Sequence, residues 1–514
     1  MGSIVMSHRA NRQKQREEAM EDIYDGSEYK KHCQPGNILS FSENFSYNFF
    51  TDGVPVGNSG KSIWPIYISI NELPENLRSK YIILAGLYIG PSDPNINEFM
   101  TPFVKEANRL SSEGFQWSHG GRKITSKAIP MCGIVDSVAR SMLLNMQSFH
   151  AYSGCTFCYK KQEPTTSNKN IKFVIHLEET LVNRTRESLE ADLKQAALRL
   201  HLPDEKKRHY NGVKGPSCLM DLNYFDPCRG VVVDYMYSVL LGVVKTHMIL
   251  LFSNDFKKYW NVNPQKVSRD DLIKAVDKRL LQIKPPKSVT RTPESFKKLG
   301  GQKASQWRAF VVFYCIVCLQ GLLKGDYLKH LATLSTAMNI LLQKSITESQ
   351  VHEAHALLTC YQVQFQQYFG AEHMYYNVHL LSHLCMGVLR FGPIWGHNAF
   401  PFEGQNRYIL HMCTSPFNVV KQVSRRYLLN RSFPSLCVKM SSGDLAIDFS
   451  EDTLERRLKC FVYNAECVLV GNGKTALLTD EEAVCVTHYL EQSNINLKKY
   501  KNGTNIQKYD SQGF

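Results

Sequence analysis

The sequence predicts an α/β protein with a sheet-forming first part, a long and mainly helical middle, and a small β-rich end. Three observations predict it. Between about 44 and 149, apolar runs bounded by turn residues follow the order strand, strand, strand, helix, strand, helix. From 159 to about 375 the apolar spacing is mostly helical. Past about 432, alternation returns around Asn472-Gly473. A chain of 514 residues holds roughly three domains of ordinary size, or one large domain carrying insertions.

Each element has its own signal. Residues 1–40 are polar, and Arg9 to Arg16 form either a solvated terminus or a nuclear-import or DNA-contacting tail. Phe45 to Thr51 is an aromatic-rich strand ending at the turn Asp52-Gly53. Ile63 to Ile70 is a second strand, closed by Asn71-Glu72-Leu73-Pro74, and Tyr81 to Ile89 a third. Pro94 to Ser112 is a helix with Phe99, Phe103, Val104, Ala107 and Leu110 on one face. Ile129 to Val135 is a fourth strand ending at Asp136, and Ser137 to Phe149 returns to helix. That order is the order of a ribonuclease-H-like core. In the middle, Leu272–Ile283, Trp307–Leu323, Tyr327–Leu342 and Glu348–Phe369 have helical periodicity, interrupted by the basic loop Lys284 to Lys303. At the end, Cys460–Val470 and Val484–Tyr489 alternate like strands, with a disordered tail expected after them.

Hydrophobic residues make up 43% and charged residues 21%, which excludes wholesale disorder, collagen and coiled coil. The net charge of +14 suits a polyanionic partner, nucleic acid before membrane. Fifteen cysteines, an odd number spread thinly, point to a reducing compartment with thiols free for metal. No secretory signal is visible. Ala309–Leu323 falls short of the roughly 20 residues a membrane helix needs, and Asp234, Lys245 and His247 interrupt Gly230–Phe252. Both stretches read as buried helices of a protein without a membrane span.

Two constellations carry chemistry. Asp52 ends the first strand and Asp136 the fourth, and in a ribonuclease-H-like sheet those strands are neighbours. Paired carboxylates repel unless a cation such as Mg²⁺ joins them, and a third carboxylate is needed to hold a second ion. An Asp at a strand end can equally serve as a turn or helix cap. The second constellation is Cys155-Thr156-Phe157-Cys158, half of a zinc site, with His379 and His383 as the other half. Histidines at i and i+4 stand on one helix face and can grip one metal. Cys315 and Cys318 share the CxxC spacing but lie in an apolar helix, so they read as core. His352-Glu353-Ala354-His355 lacks the HExxH spacing, and no Walker A loop, dinucleotide glycine fingerprint or G-x-S-x-G elbow is present.

Four blocks in order resemble one family. FFTDGVPVGNSGKSIWPIYISINELPENLR (49–78) resembles the first catalytic block of CACTA (En/Spm)-type DDE transposases, and GIVDSVARSMLLNMQSFHAYSGCTFC (133–158) the second. DYMYSVLLGVVK (234–245) resembles the family's DxMHxxxxGxxK segment, and HLLSHLCMGVLRFGPIWGHNAFPFEGQN (379–406) its third block. The resemblance runs from about 40 to 430. It implies a ribonuclease-H-like mixed sheet core interrupted by a large mainly helical insertion, with a small β-rich C-terminal appendage. The implied domains are a polar tail (1–40), a first core part (41–158), the insertion (159–375), core completion with the His pair and catalytic Glu helix (376–430), and the β-rich region and tail (431–514).

By position, the resemblance implies a catalytic triad of Asp52, Asp136 and Glu403 holding two Mg²⁺ or Mn²⁺ ions. The animal antigen-receptor recombinase, a related enzyme, similarly joins a CxxC after its second Asp to a His pair before its Glu, which implies one structural Zn²⁺ on Cys155, Cys158, His379 and His383. The implied partners are transposon-end and target DNA and further copies of the chain, in a homodimer or higher oligomer, in the nucleus. Arg291, Lys297, Lys298 and Lys303 of the basic loop are expected to track phosphate, or else to be plain solvated charge. Trp307 is expected either to stack on an extruded base or to sit in the core. Arg140, one turn past Asp136, faces either phosphate or a carboxylate.

The chain departs from the family pattern at Tyr237, where the DxMH segment beginning at Asp234 has His. It also begins close to its first catalytic strand, so an upstream DNA-binding region is not expected within it. The alternative reading is therefore a catalytically inactive, truncated or domesticated transposase that acts as a nuclear DNA-binding or interaction protein. A ribonuclease-H-like nuclease acting on RNA explains the triad but not the other blocks.

Overall fold

The computed structural model describes residues 2–440, apart from 57–59, 166–170, 205–206, 262–266, 287–288, 290 and 416, and four strands beyond 440. The chain divides into two compact units, Met1–Val423 and Ser424–Phe514.

The first unit is mixed α/β, built on a mixed sheet. Strand β1 (Phe45–Thr51) pairs antiparallel with β2 (Ser62–Ile70), which pairs antiparallel with β3 (Ile83–Gly90). On its other side β1 pairs parallel with β4 (Ala128–Val135), and β4 pairs parallel with β5 (Val231–Val233). The order across the sheet is β3-β2-β1-β4-β5. Every residue of β1, β4 and β5 is buried, because both faces of the sheet centre are covered. On one face lies helix α1 (Ile96–Ser112), which buries Ile96, Met100, Phe103, Val104 and Ala107. Phe49 meets Phe103 and Phe225 there, each at a ring-centroid distance of 5.5 Å. Leu110 and Phe99 pack at the edge of the same core.

Helix α2 (Ser137–Leu143) follows β4 directly and is shorter than expected. Asn145 takes a left-handed φ of +47°, which stops the helix before Phe149. Between α1 and β4 lies a hairpin the sequence reading missed, Phe115–His119 against Arg122–Ser126. Its two-residue turn is Gly120-Gly121, both at positive φ, as the tight hairpin turns require.

The described residues from 159 to 375 are mainly helical, with β5 as the main exception. Gly230–Phe252 reads as a buried helix, but Val231–Val233 returns to the sheet as β5. A π-helical stretch, Met236–Val244, follows and leads into the helix Lys245–Leu251. Three valines are β-branched and suit a strand, yet a three-residue strand is too short to show a period. Helices α3 (Gly325–Leu341), α4 (Glu348–Phe369) and α5 (Tyr376–Phe391) succeed one another, and α6 (Phe400–His411) follows α5. Phe402 of α6 stacks on Phe50 of β1 at 5.0 Å with the rings 6° from parallel, and this docks α6 on the sheet.

The polar N-terminus is a correction to the expected loose tail. Residues 2–11 are helical, Ala19–Met20 pairs with Ile346–Thr347, and Ile23, Tyr24 and Tyr29 are buried. Its charges are spent internally. Asp22 accepts two hydrogen bonds from Arg78, at 2.6 and 2.8 Å, and the Tyr29 hydroxyl donates to buried Glu72 at 2.8 Å. Arg12 pairs with Asp25 at 2.7 Å, and Arg9 donates to the Tyr29 hydroxyl at 3.0 Å. Charge alone cannot distinguish a solvated run from one whose partners lie elsewhere in the chain.

In the second unit Cys460–Asn464 pairs antiparallel with Cys467–Val470, and Gly473–Ala476 with Ile506–Tyr509. The expected strand Val484–Tyr489 and the tail lie outside the described residues. Among the described residues, no helix is long and apolar enough to cross a membrane, and the cysteines form no disulfide.

Candidate active site and metal centre

Parallel pairing of β1 with β4 fixes the first pair of carboxylates. Phe50 stands opposite Ile134, so Asp52 and Asp136, two residues further on, leave the sheet side by side at the same end. Both are half-buried. Asp136 is also the N-cap of α2, its Oδ1 accepting from the Ala139 N–H at 2.7 Å. The cap reading of this residue therefore holds, and it fixes the carboxylate in place. Asp52 Oδ1 accepts from the Gly53 N–H at 2.7 Å. Glu403 arrives from the first turn of α6, one residue past Phe402, whose ring anchors that turn on β1.

The three groups feel one another. Burial pushes Asp52 up to about 7, helped by the charges of Asp136 and Glu403 and opposed by a hydrogen bond from Tyr237. Asp136 is also raised, by burial and by Glu403. The Tyr237 hydroxyl lies 2.9 Å from Asp52 Oδ2 and also contacts Glu403 Oε1. Burial and those two carboxylates raise the phenol far above its ordinary range, so it stays a neutral donor. One phenol proton cannot serve two acceptors at once, so the carboxylates share it or one carries its own.

Asp234 is the buckle of this end of the fold. It is fully buried, and burial lifts it to about 7 against the backbone hydrogen bonds it accepts. Oδ2 takes the Tyr237 N–H at 2.9 Å and Oδ1 the Ala399 N–H at 2.8 Å. One side chain thus pins both the stretch bearing Tyr237 and the start of the helix bearing Glu403.

The second cluster is tighter. His379 and His383 lie one turn apart on α5, facing Cys155 and Cys158 in the loop after α2, and all four are buried. Cys155 Sγ is 3.2 Å from His379 Nε2 and 3.6 Å from His383 Nε2. Cys158 Sγ is 3.4 Å from His379 Nε2, and the two Nε2 atoms are 3.3 Å apart. A zinc ion bound tetrahedrally by two sulfurs and two nitrogens sets ligand–ligand edges of roughly 3.3–3.8 Å. The set can therefore bind a metal ion such as zinc. Burial disfavours the Cys155 thiolate, yet the hydrogen bond from Cys158 and the imidazoles of His379 and His383 outweigh it. The thiol is held well below its ordinary range, in the state a metal needs.

The supports of this cluster carry no sequence motif. Phe173 stacks on His379 at 4.3 Å and Phe157 on His383 at 4.9 Å. Arg184 Nε donates to the carbonyls of Cys155 and Cys158, at 3.2 and 3.1 Å. Arg140 faces neither phosphate nor carboxylate. Its Nε donates to Thr156 Oγ1 at 2.5 Å and its Nη1 to the carbonyls of Val231 and Val232, so it ties α2 to β5 and to the cysteine loop.

Of the basic-loop residues, Arg291, Lys297, Lys298 and Lys303 are exposed, as a phosphate contact requires. Trp307 corrects the base-stacking expectation. It is fully buried, packed on Phe296 and Phe310, because the loop folds back over it. Cys315 and Cys318 are buried core, as their apolar helix predicts. A cavity of about 410 Å³ lies beside the Cys/His cluster and away from the carboxylates, lined in part by Arg184, Arg229, Met386 and Arg390. No protein-family model and no curated protein matches the chain.

Proposed function

We propose that the chain is a metal-dependent DNA-cleaving and strand-transferring enzyme of the DDE type, a CACTA-like transposase or a protein derived from one, acting on nuclear DNA. One observation carries the reading: carboxylates from positions 52, 136 and 403 converge at one end of β1 and β4. The strand order supports it, since β2 antiparallel and β4 parallel to β1, with β5 beyond, is the arrangement a ribonuclease-H-like core requires. On this reading the helices between β5 and α6 are an insertion within that core.

An all-oxygen, mutually repelling donor set fits Mg²⁺ or Mn²⁺. Asp52, Asp136 and Glu403 would hold such ions, whose chemistry would be to activate an attacking oxygen and to stabilise a leaving one in an in-line displacement at phosphorus. The chain's own contribution is position. The register of β1 and β4 aligns Asp52 with Asp136, the cap on α2 fixes Asp136, and Asp234 and Phe402 hold the turn that bears Glu403. The Cys/His centre would carry zinc in a structural role. The exposed lysines and Arg291, with the net charge of +14, supply attraction for the DNA backbone.

The test is Mn²⁺-dependent nicking of supercoiled plasmid. Wild type is expected to nick, and Glu403→Gln or Asp136→Asn to lose at least about a hundredfold, the scale of removing one group that stabilises developing charge. DNA affinity should stay close to wild type. Equal nicking by wild type and Glu403→Gln overturns the triad. The second reading, a non-catalytic derivative, is favoured by Tyr237 lying between Asp52 and Glu403, and absence of nicking by folded, zinc-loaded wild type would select it.

A further inference from the structure

The Tyr237 hydroxyl touches two of the three carboxylates and is held there from its own backbone. It lies 2.9 Å from Asp52 Oδ2 and contacts Glu403 Oε1. Its N–H is bound by Asp234, which also binds the N–H of Ala399 at the start of the Glu403 helix. The phenol and the helix that bears Glu403 are therefore fixed to one another through a single buried side chain. No hydrogen bond joins the hydroxyl to Asp136, whose cap on α2 is independent of it. Among the described residues, only the Cys/His set brings three or more candidate ligand atoms within 4.8 Å of one another, so at least one pair of the three carboxylates stands wider than that.

If three carboxylates are to hold two ions, one must serve both, and Asp52, which neighbours both Asp136 and Glu403, would be that one. Asp136 and Glu403 would then each complete one of the two ligand sets. The Tyr237 hydroxyl, in contact with both Asp52 and Glu403, fills the space between the two oxygens that an ion held by that pair would need. We propose that the Tyr237 hydroxyl occupies the second cation position, so that the chain as folded takes one divalent cation, between Asp52 and Asp136, and admits another only when the phenol leaves. This rests on the carboxylate site being a cation site, as proposed above. Nicking by wild type then runs through the state in which the phenol has moved aside, and the Tyr237 departure acts on ion stoichiometry.

The experiment is Mn²⁺ titration of the full chain, with the Cys/His centre kept in zinc. Bound ion is counted by calorimetry and by the paramagnetic resonance of free Mn²⁺. Wild type should bind one Mn²⁺ per chain at the carboxylates and give an isolated-ion spectrum. Tyr237→Phe, which deletes the hydroxyl alone, and Tyr237→Ala, which opens the space fully, should bind two. Their spectrum should be that of a spin-coupled pair, as expected for ions about 3.5–4 Å apart. Asp52→Asn should remove the site in every background. Far-ultraviolet circular dichroism checks that each variant is folded. Two ions in wild type, or the same count in wild type and both variants, overturns the proposal while leaving the carboxylate site standing. No Mn²⁺ on any of the proteins overturns both.

Discussion

Asp52 shows what a cluster of carboxylates costs its own fold. Its ordinary value is 3.8, and burial with its neighbours lifts it to about 7. Between those values the folded chain binds a proton that the unfolded chain does not, so this residue adds stability as pH falls through that window. Above about 7 the full cost of the buried charge is present. Asp52→Asn is therefore expected to unfold at higher urea than wild type at pH 8 without added divalent cation, by on the order of 1–3 kcal/mol. The advantage should shrink as pH falls toward 5. A wild type that matches or exceeds the variant at pH 8 would contradict the arrangement. At this scale the sequence was most informative where chemistry demands a residue type. Asp52, Asp136, Cys155, Cys158, His379 and His383 stand out by strand ends and spacing. Tyr237 was legible only as a departure from a pattern, because nothing in a sequence states where a hydroxyl points. Arg140 and Arg184 donate largely to backbone carbonyls, which any residue can offer, so the sequence does not show their partners.

Among elements, the Cys/His centre joins the loop after α2 to α5, beside the stacked pairs Phe157–His383, Phe173–His379 and Phe149–Tyr376. Structural zinc sites contribute folding free energy directly, on the order of 10 kcal/mol in the best-studied small domains. Stripping the metal with a chelator, or substituting Cys158→Ser, should lower the melting temperature by several degrees or more and increase protease cleavage in the loop around 155–158. Re-addition of zinc should restore the stripped wild type and leave Cys158→Ser unrestored. Unchanged melting after verified metal loss would remove the centre's structural role. Long periodic elements were legible: α1 and α4 fall where their apolar spacing puts them. The elements missed are short or turn-made. Val231–Val233 hides at the head of an apolar run, and the Phe115–Ser126 hairpin hangs on two glycines.

Across the whole first unit, the N-terminal segment acts as a strap. It reaches the end of β2 through Glu72 and Arg78, the head of α4 through Ile346–Thr347, and α5 through the Glu28–Arg390 pair at 2.7 Å. Removing residues 1–40 should cost several kcal/mol, because buried Arg78 loses its carboxylate partner, Asp22, and buried Glu72 loses the Tyr29 hydroxyl. The truncated chain should show a lower urea midpoint, or be recovered only as aggregate. A midpoint equal to that of the full chain would show the strap to be dispensable. The strap is the largest part of the architecture that sequence reading missed, since a polar run says nothing of partners 50 or 300 positions away. The pairing of the first strand with the fourth, by contrast, was expected from the order of the strands.

The two halves of the Cys/His centre are 221 to 228 positions apart. At synthesis rates of roughly 5–20 residues per second, the histidines leave the ribosome on the order of ten to forty seconds after the cysteines. For that interval the nascent chain carries two close thiols with no imidazole partners. The locking of its middle to its beginning is thus scheduled late, by translation itself.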